Sequence, residues 1–156
     1  MNLGIDFHDT LSCAPEFFKS LIKGWQGKIY IVTGIPPSKE YEVIADLKDL
    51  GFEGLYDEIL CGFEYNKNQM TLDHFRNMAK HKCDLVRKHD ITVFFDDNPF
   101  YVNALKDEGV LVFQTILSKK YLKDFEKANA FFTSNLQEKQ FDYLGKLKDK
   151  KMVRKL

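Results

Sequence analysis

The sequence predicts an α/β fold in which a parallel sheet of about five strands lies between two layers of helices. Five short apolar runs, rich in β-branched and aromatic residues, are spread over residues 3–115, as is typical of buried strands. Segments with apolar residues at helical spacing separate these runs. Because strands that alternate with helices are joined by right-handed crossovers, we expect parallel strands with helices on both faces of the sheet.

The predicted strands are the runs LGIDF, KIYIVTG, YDEILCG, ITVFFDD and GVLVFQT. In a parallel sheet of this kind, ligands bind beyond the carboxyl ends of the strands, where the strand order reverses. Acidic and hydroxyl side chains occur at several of these ends, which are Asp6, Thr33-Gly34, Cys61-Gly62, Asp96-Asp97 and Gln114-Thr115. A ligand site is therefore expected at this edge of the sheet.

The first two helices are predicted from their end residues. Pro15 suits the first turn of a helix, because its missing N–H needs no partner there. Ser38 is predicted to cap the second helix, since a serine hydroxyl accepts a hydrogen bond from an unpaired backbone N–H. That helix is predicted to end just before Gly51.

The later helices show similar signals. Residues 69–89 are predicted to hold one long helix or two short ones, from their helical spacing of apolar residues. Asn98 and Pro99 are typical of a helix cap and the first helical residue. The helix that they begin is predicted to stop at Gly109.

Composition limits the class of protein. A chain of 156 residues is typical of one domain, and its formal net charge of zero gives no overall field toward nucleic acid or membrane. Three cysteines without close spacing argue against a disulfide framework. The sequence has no apolar stretch of bilayer length and no secretory signal, so we expect a cytoplasmic protein with no membrane partner.

The end of the chain differs from the rest. Residues 1–117 are predicted to form the α/β core, and residues 118–156 a helical extension and basic tail of the same domain. From Ser118 to Leu156 there are 11 Lys and Arg residues against 5 Asp and Glu residues. This excess of positive charge weakly favours a polyanionic partner such as nucleic acid, while a solvated tail is the preferred explanation.

The acidic strand ends suggest a metal site. The predicted sheet would bring Asp6, Asp96 and Asp97 together, and gathered carboxylates need a cation. Ligation by oxygen alone selects a hard ion such as Mg²⁺. A metal site with a hydroxyl donor and a lysine nearby suits a phosphoryl group, because both cations neutralise its oxygens. A carboxylate aimed at that phosphorus can form an aspartyl-phosphate, and we assign this role to Asp6.

These residues resemble the haloacid dehalogenase superfamily of phosphohydrolases over roughly residues 3–115. The family's first motif, Asp-x-Asp-x-Thr, is matched by the segment DFHDT that begins at Asp6. Its second motif, a Ser or Thr after the next strand, is matched by Thr33. Its lysine is best matched by Lys82, with Lys80 and Lys67 as alternatives. Its final acidic pair is matched by VFFDDN. The resemblance implies a Rossmann-like fold.

The resemblance also implies roles for these residues. Asp6 would be the nucleophile and a metal ligand, and the backbone carbonyl of His8 another ligand. Thr33 and the backbone N–H of Gly34 would hold phosphoryl oxygens. Lys82 would offset the charge of Asp6 and the phosphate. The Mg²⁺ ligands would be completed by the acidic pair, Asp96 and Asp97.

The first motif departs from the family at two positions. His8 replaces the aspartate that protonates the leaving alcohol, and Asp9 replaces a common glycine. In one interpretation His8 performs the acid–base step, because imidazole titrates near neutral pH. In a second, Asp9 or a water molecule substitutes and turnover is slow. In a third, the site binds a phosphorylated ligand but hydrolyses it poorly.

The expected function is therefore Mg²⁺-dependent phosphomonoester hydrolysis on a phosphorylated substrate that the sequence does not identify. The alternatives are a catalytically impaired relative that binds phospho-ligands or proteins, and a phosphatase of nucleotides or nucleic-acid ends. The short spacings between motifs leave no room for a cap domain. By resemblance, members without a cap act on large substrates or use a neighbouring subunit as a lid, so a homo-oligomer is also expected.

Overall fold

The structure is a computed structural model that describes residues 1–64 and 71–116. Within it, Met1–Thr115 form one compact unit. The predicted extension over residues 118–156 lies outside the described residues, as does Lys67. No helix in the described part of the chain is both long and apolar enough to cross a membrane.

Five parallel strands form the centre of the compact unit. They are β1 (Asn2–Asp6), β2 (Ile29–Val32), β3 (Glu58–Leu60), β4 (Ile91–Asp96) and β5 (Leu111–Gln114), in the sheet order β3-β2-β1-β4-β5. Four helices connect them, namely α1 (Pro15–Lys23), α2 (Glu40–Asp49), α3 (Leu72–Lys88) and α4 (Pro99–Lys106). The predicted α/β, Rossmann-like fold with its five strands is confirmed.

The strand order reverses at β1. From β1 the chain passes to β2 and β3 on one side of the sheet, and later to β4 and β5 on the other. Asp6 and Asp96 end the two strands that are neighbours at this point, and Thr33 directly follows β2. A crevice beyond the strand ends at such a reversal is where sheets of this kind bind ligands.

Helices cover both faces of the sheet. On one face, α1 and α2 contribute Phe18, Ile22, Val43 and Leu47 to an apolar cluster with β1, β2 and Phe95. On the other face, α3 and α4 contribute Cys83, Val86 and Leu105 to a second cluster with Phe94 and Tyr30. Alternation along each strand sends successive side chains to opposite clusters. The two cores hold the strand ends, and so the site, in a fixed position.

Gly4 allows close packing in the middle of β1. A Cβ atom at this position would lie 2.5 Å from Cδ2 of Phe94 on the neighbouring strand. The aromatic ring therefore occupies the space that any larger residue would need. The same ring lies near Lys82, so the glycine also helps to shape the site described below.

The prediction that Ser38 caps the second helix is wrong. Ser38 lies inside a 3-10 helix, Pro37–Lys39, and α2 begins only at Glu40 with no side-chain cap. The tandem prolines explain the difference. Pro36 is extended because a residue before proline is disfavoured in the helical region, and Pro37 then begins a turn one residue before the serine.

The later helices match their predictions more closely. The single helix α3 occupies the region for which one or two helices were predicted, and the side chain of Thr71 caps it by accepting from the N–H of His74. Asn98 caps α4 by accepting from the N–H of Phe100, with proline as the first helical residue, as predicted. The helix ends at Lys106, before the predicted stop, and a turn with a left-handed Gly109 follows.

Two connections are short. Residues 7–28, between β1 and β2, contain only α1 and the 3-10 helix Leu11–Cys13. Residues 33–57, between β2 and β3, contain only α2 and the preceding 3-10 helix. Neither connection holds an inserted domain, and both leave the carboxyl edge of the sheet accessible from this side.

Candidate functional site

Three carboxylates meet at the carboxyl edge of the sheet. One oxygen from each of Asp6, Asp96 and Asp97 lies within 4.8 Å of the other two. Asp6 and Asp96 are buried, with exposed fractions of 6% and 0%. Burial is costly for a carboxylate without a compensating cation. The sheet brings these three residues together, as predicted.

Lys82 supplies a cation to this cluster. Its ammonium donates hydrogen bonds to Oδ1 of Asp6, at 2.8 Å, and to Oδ2 of Asp96, at 2.5 Å. The residue is only 2% exposed, although it belongs to α3. Lys80, two residues earlier on the same helix, is exposed and pairs with Asp84 instead. Of the three candidate lysines, Lys82 is thus the one that reaches the carboxylates, while Lys67 lies outside the described residues.

Two aromatic rings surround the ammonium of Lys82. Its Nζ atom lies 4.6 Å from the ring centroid of Tyr101 and 5.9 Å from that of Phe94. Aromatic faces attract a cation at these distances. The rings also exclude water, so the lysine is held between two carboxylates on one side and apolar surface on the other.

The electrostatics of the cluster leave negative charge uncompensated. Burial raises the pKa of Asp96 to about 7, against the attraction of Lys82. Burial, followed by repulsion from Asp6 and Asp96, raises the pKa of Asp97 to about 8. Burial also raises the pKa of Asp6, although the ammonium of Lys82 opposes this. One lysine therefore does not neutralise three carboxylates.

This arrangement fits a divalent cation. The three aspartates offer oxygen ligands at one point, as hard cations require. A second positive charge would relieve the repulsion that raises the pKa of Asp97. The cluster therefore has the donor set and the charge of a metal site.

The residues of the first two motifs lie next to each other. Thr33 is buried, and its Oγ1 lies 3.0 Å from Nδ1 of His8, within hydrogen-bonding distance. The His8 side chain is exposed. Gly34 follows Thr33, and both Gly34 and His8 line the same cleft as the aspartates. The strand end thus brings a hydroxyl, a backbone N–H and an imidazole to one place.

Asp9 adopts the conformation for which glycine is common at this position. Its φ of 59° lies in the left-handed region, which aspartate tolerates better than most residues. Its backbone N–H donates to Oγ of Ser12 at 3.1 Å. The turn therefore keeps the shape required after β1 despite the substitution.

Thr10 contacts the acidic pair through Asp97, a link that the spacing of the motifs did not predict. Thr10 is fully buried, and its hydroxyl donates to Oδ1 of Asp97 at 3.3 Å. Thr115, after β5, donates in turn to Oγ1 of Thr10 at 3.4 Å. The threonine that ends the DFHDT motif was the available signal for this link. The backbone N–H of Asn98 also donates to Oδ1 of Asp96 at 2.9 Å.

A cleft of about 400 Å³ opens over these groups. We call its buried charged residues Asp6, Lys82 and Asp96 the cleft floor, and its exposed residues His8, Lys39 and Glu42 the cleft rim. Among the described residues, the remainder of the lining is mixed, with Asp9, Gly34, Ile35, Pro36, Met78, Asp97, Asn98 and Tyr101. The sequence did not indicate Lys39, Glu42 or Tyr101, because their place depends on how α2 and α4 pack.

Comparison with known proteins adds little to this description of the site. No family model and no curated protein matches the chain. A crystal structure of an uncharacterized protein from Corynebacterium glutamicum ATCC 13032 Kitasato is 16% identical, with a TM-score of 0.46 over 79% of this chain and 90% of that one. The NMR structure of the core domain of "a putative phosphoglycolate phosphatase" from Streptococcus pneumoniae TIGR4 is 15% identical, with a TM-score of 0.46 over 81% and 95%. Similarity at this level adds no argument about function.

Proposed function

We propose that this protein is a Mg²⁺-dependent phosphomonoester hydrolase of the haloacid dehalogenase type, which works through an aspartyl-phosphate on Asp6. The observation that carries the proposal is the cleft floor. A buried carboxylate ends a strand beneath an open cleft, beside a buried lysine and two further aspartates. A carboxylate that is held rigidly at the base of a cleft is suited to attack a bound phosphorus.

The metal ligands would be the carboxylates of Asp6, Asp96 and Asp97, with the backbone carbonyl of His8. A bound Mg²⁺ would neutralise charge on the phosphoryl oxygens. The hydroxyl of Thr33 and the N–H of Gly34 would bind those oxygens from the side of β2.

Lys82 would keep the nucleophile ionised. Burial alone would favour the protonated form of Asp6, which cannot attack phosphorus. The ammonium of Lys82, 2.8 Å from Oδ1, opposes this effect. Attack by Asp6 forms a bond to phosphorus and breaks the ester bond, and the leaving oxygen takes a proton.

His8 would supply that proton and later take one from the attacking water. The water breaks the bond between Asp6 and phosphorus and releases inorganic phosphate, which restores the carboxylate. The Thr33 hydroxyl, 3.0 Å from Nδ1, suits both steps. With Nδ1–H donating to the Thr33 hydroxyl in both protonation states, Nε2 would be the atom that gains and loses the proton, and the hydrogen of the hydroxyl would stay available to a phosphoryl oxygen.

A second function is favoured by one observation. His8 stands where the family's acid–base aspartate is expected, and Thr33, Gly34 and Lys82 would bind a phosphoryl group without it. The alternative is therefore a phospho-ligand binding protein that is phosphorylated once and then stalls. Pre-steady-state kinetics separates the two functions, because a stalled protein releases at most one equivalent of alcohol.

The Asp6→Asn variant tests the proposed mechanism. Asparagine has nearly the same shape but cannot form the acyl phosphate, so hydrolysis of an aryl phosphate with Mg²⁺ should fall to background. Asp49→Asn, at the exposed end of α2, is the matched control and should keep the parent rate. Circular dichroism should show both variants folded. Activity retained by a folded Asp6→Asn protein would contradict the proposed mechanism.

A further inference from the structure

The cleft contains two lysines that differ in their surroundings. The ammonium of Lys82 is buried and already donates hydrogen bonds to Asp6 and Asp96. Lys39 is exposed, lines the same cleft and precedes the first residue of α2. Its ammonium makes no ion pair or hydrogen bond with any residue in 1–64 or 71–116. Lys39 is therefore available to bind a ligand.

The position of Lys39 is separate from the proposed phosphoryl site. Thr33 and Gly34 end β2, and the chain then continues through Ile35 and Pro36 to the 3-10 helix that ends at Lys39. Ile35 and Pro36 line the cleft between the strand end and the lysine, while Met78 of α3 also lines it. An apolar segment thus separates two places that favour negative charge.

The size of the cleft suits a small molecule. A volume of about 400 Å³ falls within the range of small-ligand pockets, which are about 300–1,000 Å³. Such pockets combine apolar walls with a few polar groups that fix the ligand's orientation. The cleft has this composition, with Ile35, Pro36 and Met78 between the charged groups.

We propose that Lys39 is a specificity-determining residue that binds a second anionic group on a small phosphomonoester. This inference rests on the proposed function and deepens it, because it names the substrate class. The phosphoryl group would lie over the cleft floor, the carbon skeleton would contact Ile35, Pro36 and Met78, and a carboxylate or second phosphate would accept from Lys39. The proposed substrate is small and doubly anionic, whereas the resemblance implies a large one for members without a cap.

Glu42 offers a second test of the role proposed for Lys39. It lies three residues after Lys39, is exposed and also lines the cleft. Its carboxylate would repel a second anionic group that is bound at Lys39. Glu42→Gln should therefore strengthen the binding of a ligand with a second anionic group more than that of a ligand without one.

The test measures binding rather than turnover. Isothermal titration calorimetry on the full chain with Mg²⁺ compares phosphonoacetate and 3-phosphonopropionate with their uncharged carboxamide counterparts. The phosphonates resist hydrolysis, and each acid–amide pair differs only in the second charge. In the parent we expect at least one acid to bind about fivefold more tightly than its amide, the size of one exposed ion pair.

The variants decide which residue causes this preference. Lys39→Met should reduce the acid-to-amide ratio to about one, and Lys48→Met, an exposed lysine of the same helix outside the cleft lining, should keep the parent ratio. Equal binding of acid and amide by the parent, or a ratio that Lys39→Met leaves unchanged, would overturn the inference. So would failure of every phosphonate to bind. The aryl phosphate assay then shows separately whether hydrolysis also fails.

Discussion

The cleft floor and the cleft rim differ in what holds their side chains. On the floor, Asp6, Lys82 and Asp96 are buried and bound to one another. On the rim, Lys39 and Glu42 are exposed; Lys39 directly precedes α2 and Glu42 lies in its first turn. Burial fixes the proposed nucleophile and the groups around it, while exposure leaves Lys39 and Glu42 free to select a substrate. Changes to the floor should affect folding and activity together, and changes to the rim activity alone.

The largest effect on the cleft floor is expected from removing its cation, Lys82. Lys82→Met leaves Asp6 and Asp96 buried without their cation, and such a loss typically costs about 3–5 kcal/mol in the free energy of unfolding. Urea denaturation without metal should show this loss, and hydrolysis should be abolished. Lys80→Met, on the exposed face of the same helix, should change stability by less than about 0.5 kcal/mol. Equal stability of the two variants would contradict the role given to Lys82.

The rim residue nearest the chemistry is His8, and its effect should depend on the leaving group. His8→Ala should slow hydrolysis of alkyl phosphates by about a hundredfold or more, since general acid–base catalysis contributes that much. Aryl phosphates, whose leaving groups need little protonation, should be affected far less. His8→Asp restores an acid and should recover alkyl turnover. An equal loss on both substrate types would assign His8 to binding, and an inert parent that His8→Asp activates would favour the binding function.

Gly4 tests whether the floor depends on packing below it. In Gly4→Ala the new methyl group would meet the ring of Phe94, which flanks Lys82. Overpacking of this kind costs about 1–3 kcal/mol in the free energy of unfolding. Gly24→Ala is the matched control, because a Cβ atom there meets nothing closer than 3.9 Å. If thermal unfolding does not distinguish the two variants, the tight contact of Phe94 with β1 is not what supports the floor.

Without metal, the free energy of unfolding is expected to depend on pH. Burial and the neighbouring aspartates raise the pKa of Asp97 to about 8 in the folded state. The folded protein therefore holds a proton that the unfolded chain releases above pH 4, so the free energy of unfolding should decrease from about pH 4 to pH 8. Added Mg²⁺ should raise the melting temperature more at pH 8 than at pH 5. Asp97→Asn should weaken both trends, and a Mg²⁺ effect independent of pH would contradict this charge balance.

The floor was predictable from sequence in a way that Lys39 and Glu42 on the rim were not. Carboxyl ends of neighbouring parallel strands meet at one edge, so a strand pattern alone placed Asp6 near Asp96. The choice between Lys80 and Lys82 needed the rotation of α3 about its axis, because residues two apart point to different sides of a helix. The sequence did not predict Lys39 as a site residue, because the tandem prolines displace the start of α2. The same displacement made the predicted Ser38 cap wrong. Local pattern gives strand ends, whereas tertiary packing decides which helix residues join them.

The most direct measurement of the central claim is detection of the aspartyl-phosphate itself. The parent protein, mixed with an aryl phosphate and Mg²⁺ and quenched in acid within the first turnover, would be digested and analysed by mass spectrometry. We predict a phosphorylated aspartate at position 6, absent from Asp6→Asn and from a reaction quenched before substrate is added. Turnover by the parent with no phosphate on Asp6, or phosphate on another residue, would contradict the proposed mechanism.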